Sequence, residues 1–306
     1  MPSAGHTEQV LSGNLKAATA FIGGTACLII NDTLIKLAST GLPIGQLIFV
    51  RGLFAIAFVY LVCVATGVHK QAARMSEAKV VGRAFVNMLA MFAYITALLN
   101  MPIANVSAIM QTVPLALTVL AAIVLKEKVG IRRWAAIAVG FAGVLLVVKP
   151  GAQGFNTYVV AALLGVLLVT IRDLLTRMAS SGIPSLLITL ATAIAVTVGS
   201  GIVSMFEIWQ PMSFKTIGML AAAAAFLMAG IHLIVVATRA GELSLIAPFR
   251  YSFIVWALLS GYFVWGEFPD HWAIAGIVLI ALSGAYTLHR ETIIRGKPRK
   301  PRFRHH

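Results

Sequence analysis

The sequence predicts an all-α integral membrane protein: ten transmembrane helices forming two inverted five-helix repeats, with both termini in the cytoplasm. Three observations carry that prediction. Ten apolar runs follow one another with short connections, each close to the roughly 20 residues a helix needs to cross a hydrocarbon core. Only 11% of the 306 residues are charged, against about 25% in a soluble domain, which is too few to cover a water-facing surface. A polar phrase is also written twice. NDTLIKLASTGLP (Asn31 to Pro43) and RDLLTRMASSGIP (Arg172 to Pro184) lie 141 positions apart and agree at six of thirteen positions, with Lys36 and Arg177 keeping the same charge.

The runs cover 15–35, 44–66, 80–99, 103–125, 131–149, 157–177, 184–206, 215–237, 243–265 and 271–289. The first follows a polar segment without the basic start of a signal peptide or a small-residue cleavage site, so it reads as a retained span. It ends in the phrase that holds Asp32 and Lys36. The second contains Arg51, and the third Asn87 and Tyr94. The fourth carries Gln111, Thr112 and Pro114 and closes with VLKEKV, after which Trp134 leads the fifth, WAAIAVGFAG. The sixth ends in the second copy of the phrase, with Asp173 and Arg177, and the seventh starts at Pro184. His232 lies in the second half of the eighth. The ninth begins with APFRYS (Ala247–Ser252), holds Trp256 and closes with FVWGEF, after which Trp272 leads the tenth, WAIAGIVLIALSG. Cys27 and Cys63 both fall within spans and are expected to be free thiols.

Nineteen of the 24 lysines and arginines lie on one side if the N-terminus is cytoplasmic, three lie on the other, and Arg51 and Arg250 fall inside spans. That bias places both termini in the cytoplasm. The net charge of +14 is thereby explained without nucleic acid, and the basic tail is expected to hold anionic lipid headgroups. The expected organisation is a short cytoplasmic segment (1–14), a first repeat (15–150), a second repeat (151–289) and the basic cytoplasmic tail (290–306).

The echo reaches beyond the quoted phrase. Glu127 and Glu267, after spans four and nine, are 140 positions apart, and each precedes a tryptophan-led span. Five spans per copy is an odd number, so the second copy enters the membrane from the opposite side. Inverted repeats of this kind underlie alternating access in many carriers. Asp32 and Lys36 are thereby expected towards the outer side, and Asp173 and Arg177 towards the inner side.

With its 5+5 spans, the paired glutamates and APFRYS, the chain resembles the EamA-type drug/metabolite transporter superfamily over about residues 15–290. The APF-x-Y phrase and Arg51-Gly52 are most similar to a bacterial branch with riboflavin importers, S-adenosylmethionine carriers and other metabolite permeases. The resemblance implies a multi-pass carrier of the bacterial inner membrane that does not hydrolyse ATP, and no GxxxxGK[ST] phosphate loop is present.

Charge inside a bilayer is costly and usually faces a bundle interior or cavity. Arg51 is therefore expected to line the pathway, with a buried ion pair to Asp32 as the structural alternative, and Arg250 is a second candidate. Arginine suits bidentate recognition of a carboxylate or an imide-like edge. Asp32/Lys36 and Asp173/Arg177 share a helix face at i,i+4 and read as local pairs near helix ends, or as gates that break when their side opens, with an aspartate as candidate proton carrier. His232 is a candidate relay or a packed residue. Asn87, Tyr94, Gln111, Thr112, Tyr251 and Trp256 offer polar and aromatic surface for a flat heteroaromatic solute, or interhelical hydrogen bonds. Glu127 and Glu267 are expected to mark helix ends. No residue cluster has metal-ligand spacing, and neither metal nor cofactor is expected.

These readings point to a secondary transporter of a small organic metabolite. Riboflavin uptake is the specific expectation from the resemblance, with efflux of amino acids or related metabolites as the alternative. An intramembrane enzyme would need paired acids or a nucleophile with its base on facing helices, whereas the aspartates are expected at opposite faces. A lipid-handling or purely structural protein would need no central cavity.

Overall fold

The computed structural model describes residues 4–127, 129–149, 156–178, 183–240 and 247–296. Among these are eleven α-helices, two 3-10 stretches and no strand. The helices are α1 (Ala4–Ala38), α2 (Ile44–Ala65), α3 (Ala78–Asn100), α4 (Ile103–Met110), α5 (Val113–Val124), α6 (Ile131–Val148), α7 (Val159–Met178), α8 (Ser185–Ser204), α9 (Phe214–Ala240), α10 (Ser252–Trp265) and α11 (His271–Gly296). The 3-10 stretches are Val68–Ser76, after α2, and Ala247–Tyr251, leading into α10. Helix α1 starts at Ala4, so the segment before the first apolar run continues that helix instead of standing apart.

Eight of these stretches are long and apolar enough to cross a membrane, with α4 and α5 together forming one, Ile103–Val124. The ninth and tenth apolar runs contribute shorter helices: α10 has 14 residues, and the apolar part of α11 is His271–Thr287. Exposed Leu61, Phe85, Leu145, Val160 and Leu282 coat the outside. So much apolar surface suits lipid and would be a liability in water. The protein is a multi-pass membrane protein.

Successive spans run in opposite directions. One face, here the basic face, collects Lys70, Arg74, Lys79, Arg132 and Arg133. The far face collects the ends of α1, α3, α6, α8 and α10. In the interior α1 packs on α9, α2 on α8, α3 on α7, α6 on α11, and α4 on α10. Helices α2 and α3 also touch α9 and α8 respectively, while α1 touches α10 as α7 touches α4 and α5. Exchanging the first five spans for the last five turns this set of neighbours into itself.

Two of these crossings depend on glycine. A Cβ on Gly143 of α6 would lie 2.7 Å from the Gly276 carbonyl oxygen of α11, and one on Gly230 of α9 would lie 2.9 Å from the Gly24 carbonyl oxygen of α1. Small residues let backbones approach in a bilayer, where packing replaces the hydrophobic drive.

The fourth and ninth spans are irregular in the same way. Gln111 and Thr112 separate α4 from α5, and the turn ending at Tyr251 precedes α10. Thr112 (φ −80°, ψ −7°) and Tyr251 (φ −76°, ψ −7°) adopt nearly the same backbone conformation as N-caps. Past the opposite ends, Lys126 (φ 53°) and Gly266 (φ 66°) are left-handed, and the N–H groups of Glu127 and Glu267 donate to the carbonyls of Ala121 and Gly261. Both glutamates thus follow helix ends closed by a six-residue back-bond.

Candidate functional site

A cavity of about 390 Å³ lies between α2, α3, α7, α8 and α9, within the range of about 300–1,000 Å³ usual for small-molecule sites. Its polar walls come from Arg51, Arg83, Asn87, Arg172, Thr189 and Thr192; Met91, Val196, Leu227 and Met228 supply apolar surface. Arg51 stands fourteen residues before the basic-face end of α2, ~21 Å along the helix at 1.5 Å per residue. Arg83 is five residues into α3 and Arg172 six residues from the end of α7, both nearer the basic face. The cavity therefore runs from mid-bundle towards that face, with one arginine deep and two towards its mouth.

Arg51 is 4% exposed and belongs to a buried polar network. Its Nη2 donates to Asn31 Oδ1 at 3.1 Å, Asn31 Nδ2 donates to Asp32 Oδ1 at 2.8 Å, and the Tyr94 hydroxyl donates to Asp32 Oδ2. Asn31 and Asp32 are as buried as Arg51. The ion pair considered between Arg51 and Asp32 is replaced by this relay through Asn31, and Arg51 Nε has no hydrogen-bond partner. The i,i+4 pair expected between Asp32 and Lys36 is also absent. Lys36 instead donates to the Met101 carbonyl at 2.6 Å and lies 5.0 Å from the Trp265 ring centroid. Asp32 is already satisfied by Asn31 and Tyr94, leaving the longer lysine to reach the far-face end of α3.

At the mouth, Arg172 donates to Asp173 Oδ1 through Nε (2.9 Å) and Nη2 (2.7 Å), and through Nη1 to Asn87 Oδ1 (2.8 Å). Arg83 donates to the hydroxyls of Thr176 (2.8 Å) and Thr192 (3.3 Å). Asp173 is thus paired with the residue before it. The side chain of Arg177, its expected partner, lies outside the described residues. Asp32 falls in the far half of α1 and Asp173 in the basic-face half of α7, so the two carboxylates do not form a dyad.

The far face is tied across the bundle. Glu207, in the segment between α8 and α9, accepts the N–H groups of Gly45 (2.9 Å) and Gln46 (3.0 Å) at the start of α2. A carboxylate there satisfies orphan donors and complements the helix dipole. Gln46 and Gln210 exchange a further pair of hydrogen bonds, 2.8 and 2.9 Å. Lys149 pairs with Asp270, and Asn156 donates to the Asn100 carbonyl at 2.7 Å. A second cavity of about 450 Å³ opens beside these ties, lined in part by Asn105, Lys149, Glu267 and Asp270.

The other sequence candidates lie elsewhere. Gln111 Nε2 donates to the Arg250 carbonyl at 2.9 Å, and Arg250 Nε returns a bond to Gln111 Oε1 at 3.3 Å. The breaks in spans four and nine are cross-linked, and Arg250 is engaged there, away from the cavity walls. The Thr112 hydroxyl donates back to the Ile109 carbonyl of α4. The Tyr251 hydroxyl is buried without a partner, and Trp256 Nε1 reaches the Ile22 carbonyl at 3.2 Å. His232 is exposed on α9 and is not packed in the interior. Of the candidates, Arg51 and Asn87 line the 390 Å³ cavity; Tyr94 stands behind it, holding Asp32.

Sequence reasoning missed Arg83, Thr189, Thr192 and Glu207. Arg83 counts as a surface charge by the positive-inside rule. Its signal was the four-residue spacing to Asn87, which puts both on one face of α3. Glu207 gave no local signal, because its partners lie more than 160 positions away.

A ligand-sized, largely apolar cavity bearing three arginines lies within this bundle of membrane-spanning helices. Residues 15–149 match the EamA-like transporter family. Its relatives include the S-adenosylmethionine uptake transporter of Rickettsia prowazekii, 24% identical over 86% of this chain and 88% of that protein. The pseudopaline exporter CntI of Pseudomonas aeruginosa is 26% identical over 82% of this chain and 88% of its own length. The riboflavin transporter of Vibrio cholerae is 27% identical over 62% and 64%. A solved crystal structure aligns with a TM-score of 0.62 at 17% identity, covering 91% of this chain and 99% of the other, a likeness of fold. The family match and these relatives support a small-metabolite transporter.

Proposed function

We propose that this chain is a secondary carrier that moves a small organic metabolite across the bacterial inner membrane, exposing the 390 Å³ cavity to each face in turn. The observation that carries the reading is Arg51: a guanidinium about 21 Å from the basic face, 4% exposed, on the wall of a ligand-sized cavity. Burying such a charge is costly and is retained where a solute must be held. Residues 15–150 and 151–289 act as the two inverted repeats, a division supported by the exchange symmetry of the helix packing. Both termini lie in the cytoplasm, as the charge bias indicates, so the cavity approaches the cytoplasm while Glu207, Gln46 and Lys149 close the outer side.

Among specific solutes, riboflavin is suggested by the Vibrio cholerae relative and S-adenosylmethionine by the Rickettsia prowazekii relative. Both solutes carry a flat heteroaromatic ring, and both are tried. The test is counterflow of labelled S-adenosylmethionine and riboflavin in proteoliposomes, with wild-type protein and Arg51→Ala. Saturable exchange of either solute, lost in Arg51→Ala at equal reconstitution, is the expected result. A folded, reconstituted wild type that exchanges neither these nor a mixture of amino acids would overturn the carrier reading.

A further inference from the structure

We infer that the cavity holds its solute by an oxyanion, a carboxylate or phosphate group, seated among Arg51, Arg83 and Arg172. The inference rests on the carrier reading and narrows its substrate class. Three guanidinium groups line one cavity, and no carboxylate side chain lines it among the described residues. The nearest two carboxylates are already engaged. Asp173 accepts twice from Arg172, and Asp32 accepts from Asn31 and Tyr94. Arg51 and Arg83 make no ion pair among the described residues. Arg83 donates only to the neutral hydroxyls of Thr176 and Thr192.

Arg51 supplies the independent observation. It is more than nine-tenths buried, its Nη2 donates to the neutral amide of Asn31, and its Nε is a buried donor without a partner. A buried donor left unmade is costly, so an acceptor entering from the cavity is rewarded. Guanidinium presents parallel N–H donors that match the two oxygens of a carboxylate or phosphate, and such charge-assisted bonds are about twice as strong as neutral ones. An ammonium or other cation entering the same space would meet three guanidinium groups, of which, among the described residues, Arg172 alone is ion-paired, to Asp173. The apolar remainder of the wall, Met91, Val196, Leu227 and Met228, suits a solute with an acidic head and a less polar body.

The oxyanion could belong to a soluble metabolite or to the headgroup of an anionic lipid, and the test separates them. Binding is measured in phosphatidylcholine nanodiscs with two matched pairs that differ only in the acid: S-adenosylmethionine against its methyl ester, and flavin mononucleotide against riboflavin. The acid member of at least one pair is expected to bind about 30-fold more tightly than the partner that lacks the acid, the scale of one charge-assisted bidentate contact. Arg51→Gln or Arg83→Gln is expected to remove that preference while changing the affinity of the partner that lacks the acid by less than about twofold. Equal binding of the two members of each pair, with counterflow intact, would overturn the oxyanion site and leave the carrier standing. Competition by phosphatidylglycerol but by no soluble acid would keep the oxyanion site and overturn its assignment to a solute. A folded protein that neither binds nor exchanges any probe would overturn the carrier reading and this inference together.

Discussion

The bond between Tyr94 and Asp32 gives the sharpest test of the buried network. Asp32 is 5% exposed and has two side-chain donors, the Tyr94 hydroxyl and Asn31 Nδ2 at 2.8 Å. If Asp32 is an ionised acceptor, each bond to it is charge-assisted and contributes about 1.5–3 kcal/mol. An ordinary interhelical hydrogen bond in a membrane averages only about 0.6 kcal/mol. The perturbation is the double-mutant cycle formed by Tyr94→Phe, Asp32→Leu and the double variant. The bond from Asn31 is lost in both variants lacking Asp32, so it cancels in the cycle. The assay is unfolding by sodium dodecyl sulfate in mixed micelles, followed by intrinsic fluorescence. The expected coupling is about 1.5–3 kcal/mol, equivalent to a change of roughly 10- to 150-fold in the folded-to-unfolded ratio. A coupling of about 0.6 kcal/mol or less would refute the assignment of Asp32 as an ionised acceptor and reduce Tyr94 to ordinary helix glue.

Two further predictions address the frame around the cavity. Removing the Glu207 carboxylate with Glu207→Ala leaves the Gly45 and Gln46 N–H groups without their acceptor, a capping loss of about 1–2 kcal/mol. With Cys27 and Cys63 replaced by alanine, a cysteine placed at Phe49, which packs edge-on against Trp209 at 6.0 Å, should then react about tenfold faster with a water-soluble maleimide, and an unchanged rate would exclude Glu207 as a far-face latch. At the α6–α11 crossing, Gly143→Val forces a side chain against the Gly276 carbonyl oxygen, where even a Cβ would sit at 2.7 Å. The expected cost is about 1–3 kcal/mol, read as lowered thermal stability in detergent by size-exclusion chromatography, whereas the same change at Gly82, with nothing within 4 Å of its Cβ, should have little effect.

Most of the span positions were legible because each depends on a local property, the length of an apolar run. The turn at Gln111 and Thr112 was foreshadowed by Pro114, which supplies no N–H and sits comfortably near the start of α5. The site was legible only in part. Arg51 stood out because a charge in the middle of an apolar run has few uses. Periodicity says which face of a helix a residue occupies and nothing about which distant residue it meets. The pairing assumed for Asp32 therefore followed the nearest opposite charge in sequence, Lys36, while the folded protein uses Tyr94, 62 positions away. Arg83 was hidden by a rule that was correctly applied: it adds to the basic face in the charge count, yet its side chain turns inward along α3.

The repeated phrase and the cavity are connected by an exchange of roles. At the phrase's spacing of 141 residues, Asn31 corresponds to Arg172 and Arg51 to Thr192. In the first copy the span bearing the aspartate offers an amide, and the guanidinium arrives from the next helix, where Arg51 donates to Asn31. In the second copy the guanidinium stands beside the aspartate itself, and the next helix offers a hydroxyl, which accepts from Arg83 of α3. The first copy therefore places Arg51 and Arg83 on the cavity wall and the second places Arg172, from different helices and at different depths: Arg51 deep, Arg83 and Arg172 near the mouth. A strictly duplicated arrangement would set like charges at equivalent depths on both sides of the bundle and give a solute two equal stopping points. Exchanging arginine for a neutral donor or acceptor at each position instead grades the positive charge along one path, from two guanidinium groups near the basic face to one in mid-bundle. Under the proposed oxyanion site, an acidic solute entering from that face would meet Arg83 and the Asp173-paired Arg172 first and Arg51 last, where Nε lacks an acceptor. Under that proposal, the sequence difference between the copies does chemical work that identical copies would not.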